Sequence, residues 1–303
     1  MQKASDDRRA FLTGLFQAAV DAADPRNVLA AHLPDPSAGR TVVIGAGKAS
    51  ARMARVVEEH YEGEVTGVVV TRYGHGEPCQ RVEVLEGGHP IPDDACVKAS
   101  LRIINAVRDL GPEDLVLCLL SGGASSLLTL PAQGLTLVDK QDMTAELLRS
   151  GASIAEINCV RKHLSGIKGG RLALAALPAR LVTLAISDVP GDDPSTIASG
   201  PTVADPTTFE EAARVLGRYP VTVPEAVARH LLSAAQETPK PGDQRISRAE
   251  FRLIATPLQS LETAAAAARQ SGVEPYILGP AIEGEARMTG YAHAAIALKL
   301  AGG

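Results

Sequence analysis

The sequence of 303 residues contains no tryptophan, and aromatic residues make up only 3% of it. Proteins that bind unstacked bases usually stack them on aromatic side chains, so this composition disfavours that mode of ligand binding. Basic residues form no tract, and the formal net charge is −5. Because a nucleic-acid backbone is bound by clustered Lys and Arg side chains, we expect no nucleic-acid partner.

Cysteines are also few, and long apolar runs are absent. The four cysteines lie far apart, without the CxxC or paired-histidine spacing of a zinc site, and we expect them to be reduced thiols. No segment approaches the ~20 apolar residues of a membrane span, and the start of the chain, MQKASDDRRA, leads into no secretory signal. These absences favour a cytoplasmic protein with no membrane partner.

The sequence does contain a regular alternation of short apolar runs and helical patterns. Several runs are apolar on consecutive residues, which is typical of strands buried on both faces of a parallel sheet. The predicted strands are Thr41 to Ile44, Val65 to Val70, Val82 to Leu85, Leu115 to Leu120 and Leu181 to Ile186. The predicted helices are Asp6 to Ala22, Ser50 to Tyr61, Asp93 to Leu110, Asp139 to Arg149 and Ile154 to Ala176, the last broken near Gly169 and Gly170. This order predicts an α/β fold with a doubly wound, mostly parallel, Rossmann-like sheet.

The chain length and a hydrophobic content of 45% suggest two domains. A polar, proline-rich stretch at Thr238 to Asp243 marks the predicted boundary between residues 1–240, which carry the glycine-rich turns, and a second, smaller α/β region of residues 241–303. In the second region we predict strands at Phe251 to Ala255 and Pro275 to Leu278, and helices at Leu258 to Ser271 and Glu285 to Ala301. Since these four elements are near the lower size limit of a domain, we expect the second α/β domain to be truncated in this chain, or to pack on the first.

The first turn that could bind a ligand follows the first predicted strand. The sequence Gly45-Ala-Gly47-Lys48 leads from that strand into a helix, where free backbone N–H groups and the positive helix end can bind an anion. The turn is not a P-loop, and it is not a dinucleotide fingerprint either, because Ser50 stands where GxGxxG needs glycine. A lysine at a helix start opposes the helix dipole unless an anion is present, so Lys48 favours an anion site over a simple tight turn.

A second turn, Ser121-Gly122-Gly123-Ala-Ser125-Ser126, directly follows a strongly apolar strand. Its glycines let the backbone form a nest of N–H donors, and its hydroxyls add further donors, so the turn predicts phosphate binding. A serine hydrolase would need Gly-x-Ser-x-Gly, which is absent around Ser125.

A third turn follows the predicted strand that ends at Ile186. Asp188 lies at the carboxyl end of this strand, and Asp192 and Asp193 follow in a turn-rich loop. A hard cation such as Mg²⁺ takes carboxylate oxygens and shares them with substrate phosphates, so Asp188 and Asp192 are candidate metal ligands. The alternative is that Asp192 and Asp193 only shape turns or cap a helix.

Basic side chains gather between the second and third turns, in the segment NCVRKHLSGIKGGR at 158–171. On a helix, Arg161, Ser165 and Lys168 would share one face and could converge on an acidic ligand, and a solvated face is the alternative. His89, after the third predicted strand, is a further candidate or no more than a turn residue. Because ligands of open α/β sheets bind beyond the carboxyl ends of the strands, we expect the turns to act together.

The sequence resembles the bacterial and archaeal glycerate 2-kinase family, whose tartrate-operon members also carry the provisional name hydroxypyruvate reductase. The resemblance rests on segments spread over nearly the whole chain. They are IGAGKAS at 44–50, GGHPIPD at 87–93, LSGGASSLL at 120–128, NCVRKHLSGIKGGRLA at 158–173, ISDVPGDDPSTIASGPT at 186–202 and LGPAIEGEAR at 278–287.

The resemblance implies transfer of a phosphoryl group from ATP, with Mg²⁺, to the 2-hydroxyl of D-glycerate. Lys48 would contact the substrate or the transferring phosphate, the loop from Ser121 to Ser126 would cradle phosphate, and Asp188 would act in the catalytic centre. Arg161 and Lys168 would help to hold a substrate carboxylate or phosphate. The implied partners are D-glycerate and a nucleotide, and the oligomeric state stays open, a homo-oligomer included.

Two departures from the family pattern qualify this expectation. The serine-rich loop reads SGGASS where the family commonly has a third glycine. Family members are longer and end with a further glycine-rich segment of an interdomain active site, so we expect truncation to impair activity. Two alternatives stay open: a non-catalytic binding fragment, and an NAD(P)H-dependent hydroxypyruvate reductase. The reductase is disfavoured by Ser50 and by Thr71-Arg72-Tyr73, which offers no acidic residue for a ribose.

Overall fold

The computed structural model describes residues 2–302, and the side chains of residues 6–301, around a central sheet of six parallel strands. The strands are β1 (Thr41–Ala46), β2 (Val65–Arg72), β3 (Val82–Gly87), β4 (Leu115–Leu120), β5 (Arg180–Ile186) and β6 (Glu250–Ala255). Their order across the sheet is β3-β2-β1-β4-β5-β6, and every neighbouring pair is parallel. This is the order of doubly wound nucleotide-binding sheets, and it confirms the predicted fold class.

Helices connect the strands and cover the sheet. They are α1 (Gln2–Asp21), α2 (Pro25–Val28), α3 (Ser50–His60), α4 (Asp94–Ala106), α5 (Ala124–Leu127), α6 (Leu137–Ser150), α7 (Ile154–His163), α8 (Arg171–Ala175), α9 (Phe209–Arg218), α10 (Glu225–Ser233), α11 (Pro257–Gln270) and α12 (Ala286–Gly302). In the described part of the chain no helix is both long and apolar enough to cross a membrane.

The core has two layers, one on each face of the sheet. Alternate residues of a strand enter opposite layers: Val42 and Ile44 of β1 pack with α4 residues, whereas Val43 packs with Met53 of α3. Because both faces are covered, apolar residues follow one another along the central strands without the alternation of a half-exposed sheet. This burial explains why the strands could be predicted from the sequence.

A third apolar cluster lies away from the sheet, where α6 and α7 pack against α9 and α10. Met143 and Leu147 of α6, Val160 of α7 and Phe209 of α9 meet there. The sequence analysis predicted neither α9 nor α10. A helix of ten residues that buries one face on other helices gives a shorter periodic pattern than the helices that cover the sheet.

The predicted helix over Ile154 to Ala176 is wrong in its middle. Helix α7 ends at His163, and Ser165 instead forms an antiparallel bridge with Pro131. Gly169 and Gly170 follow with φ angles of 57° and 79°, in the left-handed region that glycine tolerates, before the short helix α8 begins. Ser165 and Lys168 therefore do not share a helical face with Arg161.

Of the two strands predicted in residues 241–303, one is present in the structure and the other is not. The strand predicted at Phe251 to Ala255 is β6, which pairs in parallel with β5 and so extends the same sheet. The strand predicted at Pro275 to Leu278 is wrong, because the chain between α11 and α12 has no strand there and leaves Tyr276 87% exposed. A strand needs a hydrogen-bonded neighbour, and within residues 2–302 none lies beside this segment. The boundary at residue 240 stays a prediction.

All four cysteines are free thiols, as expected, and Cys96, Cys118 and Cys159 are buried. Burial in apolar surroundings raises the pKa of the Cys96 thiol to about 11 and that of Cys118 to about 12. These thiols are core residues and have little thiolate character near neutral pH.

Candidate functional site

The turns after β1 and β4 are hydrogen-bonded into one unit at the centre of the sheet. The Lys48 N–H donates to the Gly122 carbonyl over 2.9 Å, and the Ala49 N–H donates to Ser121 Oγ over 3.0 Å. In return the Ser121 N–H donates to the Ala46 carbonyl over 3.2 Å. β1 and β4 are also where the strand order of the sheet reverses, the usual ligand position in this fold.

Close backbone approach explains the first two glycines of the predicted site. Gly45 lies inside β1, where a β-carbon would come within 2.9 Å of the β-carbon of Leu119. Gly47 has a φ of 135°, and its β-carbon would overlap the Ser121 side chain. Any side chain at either position would push β1 away from β4, so both glycines position the turns.

Lys48, His89 and Asp188 meet around the paired glycines of the serine loop. A β-carbon on Gly123 would lie 2.8 Å from His89 Nε2 and 3.2 Å from Lys48 Cε. A β-carbon on Gly122 would overlap the Asp188 carboxylate. The bare glycine backbone is thus what allows an ammonium, an imidazole and a carboxylate to approach one short loop from three sides.

Burial and two neighbouring cations favour the neutral form of the His89 imidazole. Burial lowers the pKa of His89 first, and the ammonium of Lys48 and the guanidinium of Arg72 lower it further, against the opposing effect of Asp188. A neutral imidazole offers one nitrogen that accepts a proton and one that donates a hydrogen bond. The sequence indicated His89 only as a candidate, and the structure brings it to the centre of the site.

The serines of the loop have different surroundings. Ser121 is buried and its Oγ accepts the hydrogen bond from Ala49, and buried Ser126 donates its hydroxyl to the Gly123 carbonyl over 3.1 Å. Ser125 is half-buried, and its Oγ lies 3.3 Å from Ser199 Oγ. The hydroxyls of Ser121 and Ser126 therefore hold the shape of the loop, while Ser125 borders open space.

Asp192 and Asp193 of the third turn differ in their hydrogen bonding. Asp193 accepts hydrogen bonds from the hydroxyls of Ser195 and Thr196, over 2.6 and 2.8 Å, and so shapes its turn. Asp192 has a φ of 53°, and among the described residues its buried Oδ1 has no hydrogen-bond partner. A buried carboxylate oxygen without a partner is costly, which keeps Asp192 a candidate ligand for a cation. No cluster of three or more metal-ligating side chains occurs within residues 2–302.

Two of the predicted cations stand directly behind the serine loop. Arg161 and Lys168 each donate to the Ser125 carbonyl over 2.9 Å, and Lys168 also donates to the Ala198 carbonyl over 3.2 Å. Lys168 is 1% exposed. The two side chains converge as expected, although α7 ends between them, because Lys168 reaches the loop from the turn before α8.

The remaining basic residues of the segment after Asn158 serve the fold. Lys162 pairs with Asp205 at 2.5 Å, and His163 lies 3.1 Å from Glu237 Oε1. Burial lowers the pKa of His163. The Asp205 carboxylate that pairs with Lys162 also accepts a hydrogen bond from the Thr207 hydroxyl. These contacts tie α7 to the chain that runs past Asp205 and Glu237.

Sequence analysis missed one cation, Lys140 of α6. Its side chain is 8% exposed and donates to the Leu164 carbonyl over 3.0 Å. Burial, with Arg161 and Arg171 nearby, lowers the pKa of Lys140 to about 7. The available signal was its spacing, since residue 140 precedes buried Met143 by three positions and buried Leu147 by seven, on the apolar face of the helix.

Comparisons with known proteins find relatives that match most of the chain. A family model described as a domain of unknown function, DUF4147, matches residues 11–232. A protein of Agrobacterium vitis with the provisional name hydroxypyruvate reductase is 55% identical over 96% of this chain and 66% of its own length. The D-glycerate 2-kinase of Thermotoga maritima is 41% identical over 91% of this chain and 65% of its own length.

The fold also matches a solved structure. The crystal structure of glycerate kinase from Thermotoga maritima superimposes with a TM-score of 0.79 and 40% identity, and it covers 88% of this chain. The match covers 63% of the crystallised chain. This chain therefore spans slightly less than two thirds of the length of these proteins.

Proposed function

The chain belongs to the glycerate 2-kinase family, and we propose on this premise that it transfers a phosphoryl group from ATP to the 2-hydroxyl of D-glycerate. The observation that supports this proposal best is the convergence of Lys48, His89 and Asp188 on the Gly122-Gly123 backbone. Phosphoryl transfer requires positioning and positive charge around the transferring oxygens more than it requires covalent chemistry. The site supplies both.

Each group has a role in this mechanism. The backbone N–H groups of the serine loop bind phosphate oxygens, and the Lys48 ammonium neutralises the charge that builds on the transferring group. The neutral His89 imidazole accepts the proton that the attacking 2-hydroxyl releases. Arg161 and Lys168 fix the serine loop from behind, and the Arg161 guanidinium adds positive charge beneath it.

The residues of the third turn fit a magnesium ion. Mg²⁺ binds through one or two carboxylates together with substrate phosphates and water, so a full cage of protein ligands is not required. The buried Oδ1 of Asp192, which has no hydrogen-bond partner among the described residues, and the Asp188 carboxylate against Gly122 would hold it. When bound, the ion would neutralise charge on the phosphate oxygens of the nucleotide.

The reductase alternative is not favoured by the same geometry. Ser50, at the position where the dinucleotide fingerprint has glycine, is fully buried and donates its hydroxyl to the Gly47 and Val70 carbonyls. A dinucleotide-binding sheet also carries an acidic residue near the end of β2 for the ribose, and this chain has Thr71 and Arg72 there. Both features oppose the binding of NAD(P)H in the usual position.

A coupled assay tests the proposed activity. ADP formation from ATP is measured with the full 303-residue chain, with and without D-glycerate and with and without Mg²⁺. We expect ADP to form only when ATP, D-glycerate and Mg²⁺ are all present. ADP formation that does not depend on glycerate would sink the proposal, and loss of NADH absorbance on addition of hydroxypyruvate would favour the reductase.

A further inference from the structure

His89 lies on a loop between β3 and α4 that is neither helix nor strand. We call residues 88–93 of this segment the His89 loop. Pro90 and Pro92 have no N–H group, so hydrogen bonds hold the loop through its other atoms. The position of the imidazole against the serine loop therefore depends on how the two ends of the His89 loop are fixed.

Tyr73, the residue after β2, forms hydrogen bonds at both ends of the His89 loop. Its N–H donates to the carbonyl of Gly87, the last residue of β3, over 3.2 Å. Its hydroxyl donates to Asp93 Oδ2 over 2.7 Å. Tyr73 also follows directly on Arg72, one of the two cations that lie near His89. These hydrogen bonds thus tie the loop to the end of β2 that lies beside the site.

The Asp93 carboxylate joins the end of the His89 loop to its beginning. Its Oδ1 accepts the Cys96 N–H over 3.1 Å, which caps α4. The carboxylate also lies against Gly88, where a β-carbon would come within 3.2 Å of Asp93 Oδ2. Burial raises the pKa of Asp93, but hydrogen bonds from the Tyr73 hydroxyl and from the Gly88 and Cys96 N–H groups bring it below its usual value. One charged carboxylate therefore connects β2, α4 and the residue before His89.

Other contacts hold the side of the His89 loop. The Gly88 carbonyl accepts a hydrogen bond from the Cys96 thiol over 3.4 Å, and the Pro92 carbonyl accepts one from Gln141 Nε2 of α6 over 2.7 Å. The loop is also tightly folded, since a β-carbon on Gly88 would lie 2.5 Å from the Ile91 carbonyl oxygen. Its backbone therefore has little freedom to move while the two ends stay joined.

We propose that Asp93 is a positioning residue, which acts through the His89 loop to hold the His89 imidazole against the serine loop. This inference rests on the proposed function, in which His89 accepts the proton of the attacking hydroxyl. A base must stay within hydrogen-bond reach of that proton, and a small displacement lowers the rate strongly. Tyr73 supports the role of Asp93 through its hydroxyl.

Two substitutions separate the positioning of His89 from the capping of α4. Asn is as good an N-cap as Asp, so Asp93→Asn keeps an oxygen for the Cys96 N–H. Its amide places N–H donors where Oδ2 now accepts, which weakens the contact with Gly88 and Tyr73. Tyr73→Phe removes only the hydroxyl. In the full chain we expect kcat for glycerate-dependent ADP formation to fall by about tenfold in Asp93→Asn and about threefold in Tyr73→Phe.

The chain offers a matched control for each substitution. Tyr219 donates its hydroxyl to Glu156 Oε2 over the same distance of 2.7 Å, and Tyr219→Phe removes that hydrogen bond. Asp243 caps a short helix by accepting the Arg245 N–H, ahead of β6 and so at the amino end of the sheet. Asp243→Asn makes the same change of charge away from the site. We expect both controls to leave kcat unchanged, and thermal unfolding to show that all four variants are folded.

A double-mutant cycle tests whether Asp93 acts through His89. We expect Asp93→Asn to lower kcat by about tenfold when His89 is present and to have no further effect in a His89→Gln chain. A general weakening of the fold would lower kcat equally in both chains. Equal losses would therefore overturn the inference, and so would full activity of Asp93→Asn.

Crystal structures of the unmodified chain and of Asp93→Asn show the position of His89 independently of turnover. If the unmodified chain forms no glycerate-dependent ADP, the proposed kinase activity fails, while an imidazole displaced from Gly123 in Asp93→Asn still supports the positioning by Asp93. An imidazole in the same place in both structures overturns it. Full glycerate-dependent activity of His89→Gln would leave the kinase and refute both the proton acceptor and this inference.

Discussion

At the scale of single residues, Gly122 and Gly123 leave the space in which side chains of the candidate site approach the serine loop. The Asp188 carboxylate occupies the space that a β-carbon on Gly122 would need. We expect Gly122→Ala to displace this carboxylate and to lower kcat by about 100-fold, because small displacements of catalytic groups have large effects on rate. Gly217→Ala is the control, since nothing lies within 4 Å of its added methyl group, and it should stabilise α9 without changing kcat. Equal rates in both variants would contradict the role of Gly122.

Lys48 and Asp188 carry the charges that the proposed mechanism uses most directly. Lys48→Ala and Asp188→Asn should each lower glycerate-dependent ADP formation by about two to three orders of magnitude. Both side chains are exposed, so the free energy of unfolding should change little. Steady-state kinetics and urea denaturation check the two expectations, with Lys98→Ala as the control. Full activity in either variant would remove that residue from the site.

Burial of Lys140 makes the stability of the chain depend on pH. Its pKa is about 7 in the folded chain against an ordinary value of 10.5, so between these values the unfolded chain binds more protons. Stability therefore rises with pH through this window, by up to about 1.4 kcal/mol per pH unit for this one group. We expect Lys140→Met to be more stable than the unmodified chain at pH 6, with a gap that narrows towards pH 9. A gap that is constant from pH 6 to 9 in urea denaturation would contradict the lowered pKa.

Some residues of the candidate site could be predicted from the sequence and others could not. Lys48 and Asp188 follow buried strands, and the chemistry of a turn after a parallel strand is visible in the sequence itself. Lys140 was not found, because a lysine on a helix is most often solvated and only its spacing with Met143 indicates burial. The shared helical face predicted for Arg161 and Lys168 does not exist, and the two side chains meet at the Ser125 carbonyl instead.

At the scale of elements, prediction succeeded where burial on both faces leaves a continuous apolar run. β1 and β4 are completely buried, and their predicted limits agree with the structure to within two residues. The segment at 275–278 has the composition of a strand, yet a strand also requires a partner, and pairing depends on where the sheet ends. That information lies in the whole fold and not in the segment.

Helix α11 shows what local sequence contributes after β6. Thr256 accepts a hydrogen bond from the Gln259 N–H, and the Gln259 side chain accepts one from the Thr256 N–H, which together form a capping box. We expect Thr256→Ala to lower the free energy of unfolding by about 1 kcal/mol. Thr263→Ala, an exposed position in the same helix, should change it by less than about 0.5 kcal/mol. Equal losses for the two in urea denaturation would mean that the cap contributes nothing.

At the scale of the whole molecule, the position of β6 bears on the predicted division at residue 240. β6 pairs with β5, and alternate β6 residues enter both core layers, Ile254 on one face and Leu253 on the other. Helix α1, from the opposite end of the sequence, packs against α11. The part of the second region up to α11 therefore shares its core and its sheet with the first.

Hydrogen exchange tests whether this shared sheet makes one cooperative unit. Opening β6 uncovers an edge of β5 together with Ile254 and Ala255, which are 4% and 1% exposed, so β6 amides should exchange only on a large opening of the sheet. We expect β6 amides to approach the protection of β4 amides, and amides at 273–285, between α11 and α12, to exchange far faster. If the amides of β6 and α11 share one free energy of opening that is much lower than that of the β4 amides, the result would support a separate domain after residue 240. Because the turns of the candidate site follow β1, β4 and β5, a cooperative sheet would also make the geometry of these turns depend on the pairing of β6.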